Sequence, residues 1–222
     1  MAFYHTMVVR PDHLRWHRHG EDELDFYATE AFDIQYLFPM GWQELEGVHN
    51  RTDYDLTQHQ KFSGKDLTYI EQESKERYIP FVVETSAGLT RNVLMVLSDA
   101  YEEEELEGGD VRTVLHFHPL IAPVTVAVLP LVKKDGIGAY AERLERELRE
   151  DFSTFFDQSG AIGRRYRRMD EIGTPYCITV DYQTLEDNTV TLRFRDSMEQ
   201  VRVDVDSLAE RIRRETKTYT RQ

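Results

Sequence analysis

The fold is decided by the segment Tyr78-Ile79-Pro80-Phe81-Val82-Val83-Glu84-Thr85-Ser86-Ala87-Gly88-Leu89-Thr90-Arg91 and the apolar run that follows it to Tyr101. β-Branched and aromatic residues predict a strand, Ser-Ala-Gly predicts a tight turn, and the spacing beyond it predicts an amphipathic helix. Glu84 and Ser86 at the strand end can face an ammonium group. Gly88 lets a ligand approach the backbone, and Arg91 lies in the first helical turn, where free N–H groups favour anions. The alternative is a core strand and helix, with Arg91 a solvated charge.

Composition indicates a globular protein with one large or two modest domains. The chain has 222 residues, of which 40% are hydrophobic and 11% aromatic. No apolar run approaches the roughly 20 residues that cross a bilayer, and the N-terminus lacks the pattern of a signal peptide. The single cysteine, Cys177, permits no intrachain disulfide. The cytoplasm is therefore the expected compartment.

The net charge of −14 lies in the first half of the chain. Residues 1–110 hold nine Lys/Arg against twenty-three Asp/Glu, whereas residues 111–222 hold eighteen of each. A protein that coats nucleic acid non-specifically would be basic overall, so the charge argues against this class. A local basic face in the second half stays open.

The second half alternates strands and helices and predicts a mixed-sheet α/β domain. The apolar run from Val124 to Leu131 predicts a strand buried on both faces. The acidic run Glu102–Glu105 predicts a solvated helix end and loop, and Asp206-Ser207 is expected to cap the last helix, which ends near Thr216. The remaining elements are expected as helices over 137–151 and 161–172, strands over 152–156 and 176–182, and a hairpin over 188–194 and 200–205.

The first half predicts an antiparallel sheet that carries one long helix. Alternation over Phe32–Phe38 and over Gly41–Val48 indicates two strands that would join the strand before Glu84. Glu44 and Glu46 share one face of a strand by period-two spacing. Two carboxylates there could hold a divalent metal or a ligand ammonium, or could simply belong to the solvated face.

Four separate blocks in one order resemble the dimeric class II glycyl-tRNA synthetases. The blocks are Gly41-Trp42-Gln43-Glu44-Leu45-Glu46-Gly47, Asn50-Arg51-Thr52-Asp53-Tyr54-Asp55-Leu56, Ser63-Gly64-Lys65-Asp66-Leu67 and the opening segment. The opening segment is similar to the third signature motif of that class. The second half, through Gly163-Arg164-Arg165-Tyr166-Arg167-Arg168 and Gly173-Thr174-Pro175-Tyr176, is similar to the anticodon-binding domain of the same family.

The resemblance implies the fold and the division of the chain. Residues 1–118 would be the end of a class II catalytic domain, an antiparallel-sheet remnant that carries the third motif. Residues 119–222 would be a mixed-sheet α/β anticodon-binding domain, which makes the whole chain α/β (α+β). The implied activity is the ATP-dependent attachment of glycine to its tRNA through glycyl-adenylate.

The resemblance also implies roles for individual residues. Arg91 would be catalytic and would stabilise phosphate charge as the adenylate forms. The glycine site would comprise Arg51, Glu84, Thr85, Ser86, Ala87 and Gly88. The ATP site would comprise Glu44, Leu45, Gly88, Leu89, Thr90 and Arg91, with Glu44 acting through the Mg²⁺ that accompanies ATP. The implied partners are glycine, ATP, tRNA-Gly and a second copy of the full-length enzyme, with no tightly bound organic cofactor, no membrane and no DNA.

Two departures from the family pattern limit what the resemblance implies. Thr85 stands where family members usually have proline, which is expected to alter the stiffness of the turn. The 222 residues contain no Arg-Asn-Glu followed by Phe-Arg-x-Arg-Glu-Phe, the second motif, whose arginine binds the α-phosphate. The chain alone is therefore expected to lack half of the ATP site. A fragment, a split subunit, a non-catalytic paralogue that binds RNA or another partner, and an unrelated nucleotide-binding α/β protein stay open.

Two further clusters have open interpretations. Arg164, Arg165, Arg167 and Arg168 flank Tyr166 and form either a solvated helix face or, as the family implies, contacts to tRNA phosphates with aromatic stacking on unpaired bases. The pairs His17/His19 and His116/His118 could ligate a metal, but no Cys or carboxylate lies at a suitable spacing.

Overall fold

The computed structural model describes residues 1–7 and 10–220, which form two compact units. The first unit ends at Ser98, and the second runs from Asp99 onward and includes a short N-terminal segment that begins at Phe3. The division between the two compact units, at Ser98/Asp99, lies before the domain boundary at 118/119 that is predicted from the sequence. That domain boundary stays a prediction.

Helices and strands alternate irregularly in the first unit and regularly in the second. The helices are α1 (Ala2–Thr6), α2 (Tyr54–Ser63), α3 (Leu89–Ala100), α4 (Ile137–Leu148), α5 (Ile162–Glu171), α6 (Tyr182–Asp187) and α7 (Val205–Lys217). The strands are β1 (Leu14–Arg18), β2 (Glu30–Phe38), β3 (Gly41–Asn50), β4 (Tyr69–Ile70), β5 (Arg77–Tyr78), β6 (Val83–Ala87), β7 (Tyr101–Glu105), β8 (Val111–Leu115), β9 (Val126–Pro130), β10 (Thr154–Phe156), β11 (Tyr176–Val180), β12 (Thr189–Phe194) and β13 (Gln200–Asp204).

The first unit contains an antiparallel sheet of four strands in the order β1-β2-β3-β6. This confirms the predicted antiparallel sheet and adds β1, a strand beyond those predicted. One face of the sheet is apolar, because Leu14, Ile34, Tyr36 and Leu45 are all buried. The other face is polar and carries the candidate site.

The strand that precedes the long helix is shorter than predicted. It begins at Val83 rather than Tyr78, because Pro80 has no N–H to donate to a strand ladder. Ser86 and Ala87 continue the strand, since they pair with Gly47 and Glu46 of β3, so the predicted Ser-Ala-Gly turn is wrong. The helix α3 begins as expected, directly after Gly88.

A β-bulge separates Glu44 from Glu46. Glu44 pairs with Gln35 of β2 and Glu46 pairs with the next residue, Ile34, so Leu45 is the extra residue of the bulge. Consecutive residues of β2 point to opposite faces, and the two glutamates therefore do so as well. The prediction that Glu44 and Glu46 share a face is wrong for this reason.

The second unit contains a mixed sheet in the order β10-β9-β11-β12-β13. β9 pairs in parallel with β10 and β11, whereas β11, β12 and β13 are antiparallel to one another. All five residues of β9 are buried, which confirms the predicted strand with two covered faces. Val126 and Val128 pack with α4 and α7, and Ala127 and Leu129 pack with α5.

Two local predictions in the second unit are wrong, and one helix is additional to those predicted. The acidic run Glu102–Glu105 forms strand β7, because it pairs with β8 and its Glu104 contacts Arg112. Helix α6 was not predicted, although Asp181 and Thr184 form a capping box at its start. Asp204, rather than Asp206-Ser207, caps α7 by accepting from the Asp206 N–H.

A buried ionic cluster joins the β7–β8 hairpin to α5 and β12. The carboxylate of Asp170 accepts from both Nη atoms of Arg193, at 2.8 and 3.0 Å, and from Arg112 Nη1 at 3.3 Å. Arg112 also donates to the Arg195 carbonyl at 2.8 Å and to Glu104. All of these arginines and Asp170 are at most 5% exposed. Arg112 is therefore an integral part of the second unit.

Replacement of Asp170 by asparagine should strongly destabilise the second unit. The change leaves two buried guanidinium groups without their shared carboxylate, and such a loss costs about 3–5 kcal/mol. Urea denaturation followed by far-UV circular dichroism measures the free energy of unfolding. Asp206→Asn, at an exposed position in the first turn of α7, is the matched control and should cost less than about 1 kcal/mol. Equal losses in the two variants would contradict the role assigned to Asp170.

Candidate functional site

The polar face of the first sheet is built by strand register. Glu84 and Ser86 of β6 pair with His49 and Gly47 of β3, so their side chains point to the same face. Gly47 in turn pairs with Asp33 of β2. The face therefore gathers acidic, imidazole and hydroxyl groups from three strands around one glycine.

Gly47 lies at the centre of this face and, having no side chain, leaves a space above the backbone. A Cβ atom at this position would lie 3.1 Å from His49 Nε2 and 3.7 Å from both Asp33 Oδ1 and Glu44 Oε1. The absence of a side chain thus leaves a small space where two carboxylates and an imidazole converge. Such a space suits a small cationic group, because the carboxylates can accept its hydrogen bonds.

Arg51 fixes the position of Glu84. Its Nη1 donates to Glu84 Oε2 at 2.8 Å, its Nε donates to Asp55 Oδ2 at 2.6 Å, and its guanidinium lies 4.0 Å from the centre of the Tyr27 ring. Hydrogen bonding to Asp55, and more weakly to Glu84, raises the pKa of Arg51 above its usual range. The same contact lowers the pKa of Asp55, and the hydrogen bond from Arg51 fixes the orientation of the Glu84 carboxylate.

Arg91 lies beside Glu44 at the start of α3. Its Nη1 donates to the Glu44 carbonyl at 2.8 Å and lies 3.7 Å from Glu44 Oε2. About half of each side chain is exposed, so both groups can still reach a ligand. The adjacent first turn of α3 presents unpaired N–H groups and the positive end of the helix dipole. Arg91 and α3 together favour an anion near a carboxylate that can hold a cation.

The other predicted site residues lie on the opposite face of the sheet, are buried, or lie at the junction of β6 and α3. Thr85 and Ala87 alternate with Glu84 and Ser86 and face the opposite side of the sheet, whereas Leu45 is 1% exposed and offers a ligand only its backbone. Gly88, Leu89 and Thr90 are exposed at the junction of β6 and α3, and Gly88 contributes its carbonyl to Asn92. The structure thus brings Arg51, Glu84 and Ser86 to one face and places Glu44 beside Arg91.

Sequence reasoning missed several members of the polar face. Asp33, Gly47 and His49 join Glu84 and Ser86 only through the pairing of three strands, and His19, which the sequence indicated only as a possible metal ligand with His17, follows the end of β1. Alternation within β2 and β3 was the available signal, but it does not show which faces of different strands coincide.

The arginines of α5 divide into buried and exposed groups. Arg165 is 2% exposed and donates to the Pro130 and Asp157 carbonyls at 2.7 and 3.1 Å. Arg167 contacts Asp110 at 3.0 Å, and Arg168 contacts Asp157 and the Ser159 carbonyl. The exposed Arg164 has no side-chain hydrogen bond or ion pair within residues 1–7 and 10–220. An outward basic surface is therefore formed by Arg164, Arg167 and Arg168 alone.

Tyr166 packs into the second unit. Its hydroxyl lies 2.5 Å from Thr179 Oγ1, and the guanidinium of Arg193 lies 4.8 Å from the ring centre. Burial is the main cause of its raised pKa. A ring with these partners does not present a free surface, so base stacking on Tyr166 is not supported.

Comparison with known proteins assigns both units to one family. A sequence model described as the anticodon binding domain matches residues 125–215. The glycine–tRNA ligase of Treponema denticola is 62% identical over 99% of this chain, and that of Borrelia hermsii is 54% identical over 98%. The chain belongs to the glycine–tRNA ligase family. It corresponds to a C-terminal part of these relatives and spans about half of their length, 50% and 49% respectively.

Structural comparison shows a fold that this chain shares with a solved synthetase. A crystal structure of prolyl-tRNA synthetase from Cryptosporidium parvum, complexed with L-proline and AMP, matches 97% of the chain and 44% of its own with a TM-score of 0.68. At 16% identity this match shows the fold alone, that of a class II synthetase. Among the described residues of this ligase-family chain, no helix is long and apolar enough to cross a membrane.

Replacement of Arg51 by alanine should raise the pKa of Asp55 towards its ordinary value. The Arg51 contact holds that pKa low in the folded state, so the ion pair stabilises the fold above pH 3.8 and this contribution is lost as the pH falls through the folded pKa. Carboxyl ¹³C NMR titration measures the shift. Asp66, whose pKa is lowered by Thr68, is the internal control and should not move. An unchanged Asp55 would contradict the assigned ion pair.

Proposed function

We propose that this chain supplies the third motif, one wall of the glycine site and the anticodon-binding domain of a glycine–tRNA ligase. The observation that carries the proposal is the polar face of the first sheet, where Arg51-oriented Glu84 and Ser86 flank Gly47. The reaction would join glycine to ATP as an adenylate and then transfer glycine to tRNA-Gly. A cytoplasmic location and a homodimer of the full-length enzyme belong to the same proposal.

Glycine binding would use the acidic groups around Gly47. Glu84 lies within an ion pair that sets its orientation, and its side chain is still 41% exposed, so one oxygen can accept from an ammonium group. Ser86 would accept or donate beside it. Exclusion of alanine requires a wall in contact with the α-carbon, because one extra methyl in a roomy pocket changes binding by only about 1–3 kcal/mol.

ATP binding would use Arg91 and Glu44. A guanidinium at the start of α3 can neutralise charge that develops on the phosphates while pyrophosphate leaves. Glu44 offers hard carboxylate oxygens to the Mg²⁺ that ATP brings as part of the substrate. The 3.7 Å separation between the two charged groups permits a phosphate and its cation to lie side by side with them.

Binding of tRNA would use the exposed basic surface of α5. Arg164, Arg167 and Arg168 can contact phosphates, and the matched anticodon binding domain covers this helix. Base reading then has to come from groups other than Tyr166, whose hydroxyl and ring are both engaged.

The second candidate is a non-catalytic protein of the same family that holds RNA or another partner. The 222 residues contain no second motif, which in the family supplies the arginine for the α-phosphate. Glycine-dependent ATP–pyrophosphate exchange separates the two candidates.

The chain alone should show no exchange, and a chimaera with the N-terminal half of the Treponema denticola relative should show it. In the chimaera, Arg91→Ala should lower the exchange rate about 10²–10³-fold, because one preorganised charge on the transition state is lost. Arg77→Ala, at an exposed ion pair of the same unit, is the control and should leave the rate within about twofold. A folded but inactive chimaera would favour the non-catalytic candidate, and robust exchange by the chain alone would refute the need for the second motif.

The double variant Arg164→Ala plus Arg168→Ala should bind tRNA-Gly more weakly. Loss of two phosphate contacts should reduce the slope of log affinity against log salt by about 1–2 units. Fluorescence anisotropy over a salt series measures both quantities. Arg143→Ala plus Arg146→Ala, on the solvent side of α4, is the matched control. Equal effects of the two double variants would show only general electrostatics.

A further inference from the structure

Three potential metal ligands converge on the polar face of the first sheet. His19 follows the end of β1, Asp33 lies in β2 and His49 lies in β3. One ligand atom of each residue lies within 4.8 Å of those of the other two. Within the described parts of the chain, this is the one group of three or more such residues with that spacing.

Strand pairing supports each ligand from the backbone. His49 pairs with Ala31, and the His19 N–H donates to the Ala31 carbonyl at 3.0 Å, so both imidazoles are anchored beside one residue of β2. Asp33 lies two residues further along the same strand and on the same face. The rings of His19 and His49 have centres 5.7 Å apart. The pairing of the strands therefore brings the three potential ligands together.

The cluster is largely shielded from water. Asp33 is buried, and the His19 side chain is 19% exposed. His19 Nε2 is buried and lies 2.9 Å from Asp33 Oδ2, yet it makes no well-aligned hydrogen bond within the described residues. The imidazole nitrogen and the carboxylate thus lie close together without a well-aligned hydrogen bond, and a cation held by both groups and by the adjacent second imidazole would satisfy them.

Gly47 keeps the cluster open. A side chain there would approach His49 Nε2 to 3.1 Å and would face Asp33 Oδ1 at 3.7 Å. The glycine therefore permits His49 to lie over the sheet towards Asp33, and it leaves room beside the ligand atoms.

We propose that His19, Asp33 and His49 bind one divalent transition-metal ion. Two imidazoles and one carboxylate suit Zn²⁺, which takes nitrogen and oxygen ligands at about 2.0–2.2 Å and often keeps a fourth position open. Rotations of the three side chains can close the present separations, since all three strands hold the backbone in place. The site goes beyond the proposed ligase chemistry, because its three ligands are distinct from Arg51, Glu84, Ser86 and the residues assigned to ATP, although Asp33 also borders the space around Gly47 that is assigned to glycine. It fastens the end of edge strand β1 to β2 and β3.

Zinc binding to the tag-free chain tests the proposal. Isothermal titration with ZnCl₂ at neutral pH should show one ion per chain, and Co²⁺ should give the visible absorption bands of a low-coordinate nitrogen–oxygen site. His19→Ala, Asp33→Asn and His49→Ala should each weaken zinc at least about tenfold. Circular dichroism confirms that each variant folds, and Asp33→Asn, which keeps the size of the side chain, remains informative if an alanine variant does not fold.

Two matched controls separate this site from others. His17→Ala removes a neighbouring imidazole that lies 3.5 Å from Glu23. His59→Ala removes an exposed imidazole on α2. Both variants should bind zinc with the affinity of the parent chain. Absence of stoichiometric zinc binding would overturn the proposal. Binding that depends on His17 but not on His49 would overturn it as well, because the ligands would then lie elsewhere.

Discussion

The bulge at Leu45 determines which side chains meet on the polar face of the first sheet. The extra residue shifts the register of β3 by one position, so Glu44 shares a face with Asp33 and Gly47 while Glu46 points the other way. A regular strand would reverse one of these orientations, because side chains alternate with a period of two. The position of the Glu44 carboxylate beside Arg91 therefore depends on the unpaired residue Leu45. The side chain of Leu45 itself is buried on the apolar face.

Elements with strong local periodicity were predictable from the sequence. The buried strand β9 and the amphipathic helices α4 and α5 appear where apolar spacing placed them. Elements that depend on distant partners were not predictable in the same way. Strand β7 is a run of glutamates whose propensity opposes a strand, and it forms because β8 pairs with it and Arg112 neutralises part of its charge. The bulge has no local signature either.

The residues of the candidate site were also predictable only where they are close in sequence. Glu84, Ser86 and Arg91 are close in sequence, so a motif was enough to group them. Asp33 and His49 come together through long-range register, which a single sequence does not reveal. In the basic helix, residue spacing could not show that Arg165 is buried against the Pro130 carbonyl. Burial of a charged group depends on acceptors supplied by other elements.

The buried contacts of Arg112 determine which segment of the chain has to be expressed to obtain a complete second unit. The family match begins at residue 125, yet the carboxylate of Asp170 in that region is shared with an arginine thirteen positions upstream. A gene segment cut at the start of the match would retain Asp170 and Arg193 and lose their third partner. A segment that keeps this ionic cluster complete must therefore begin before the recognisable domain and include the β7–β8 hairpin.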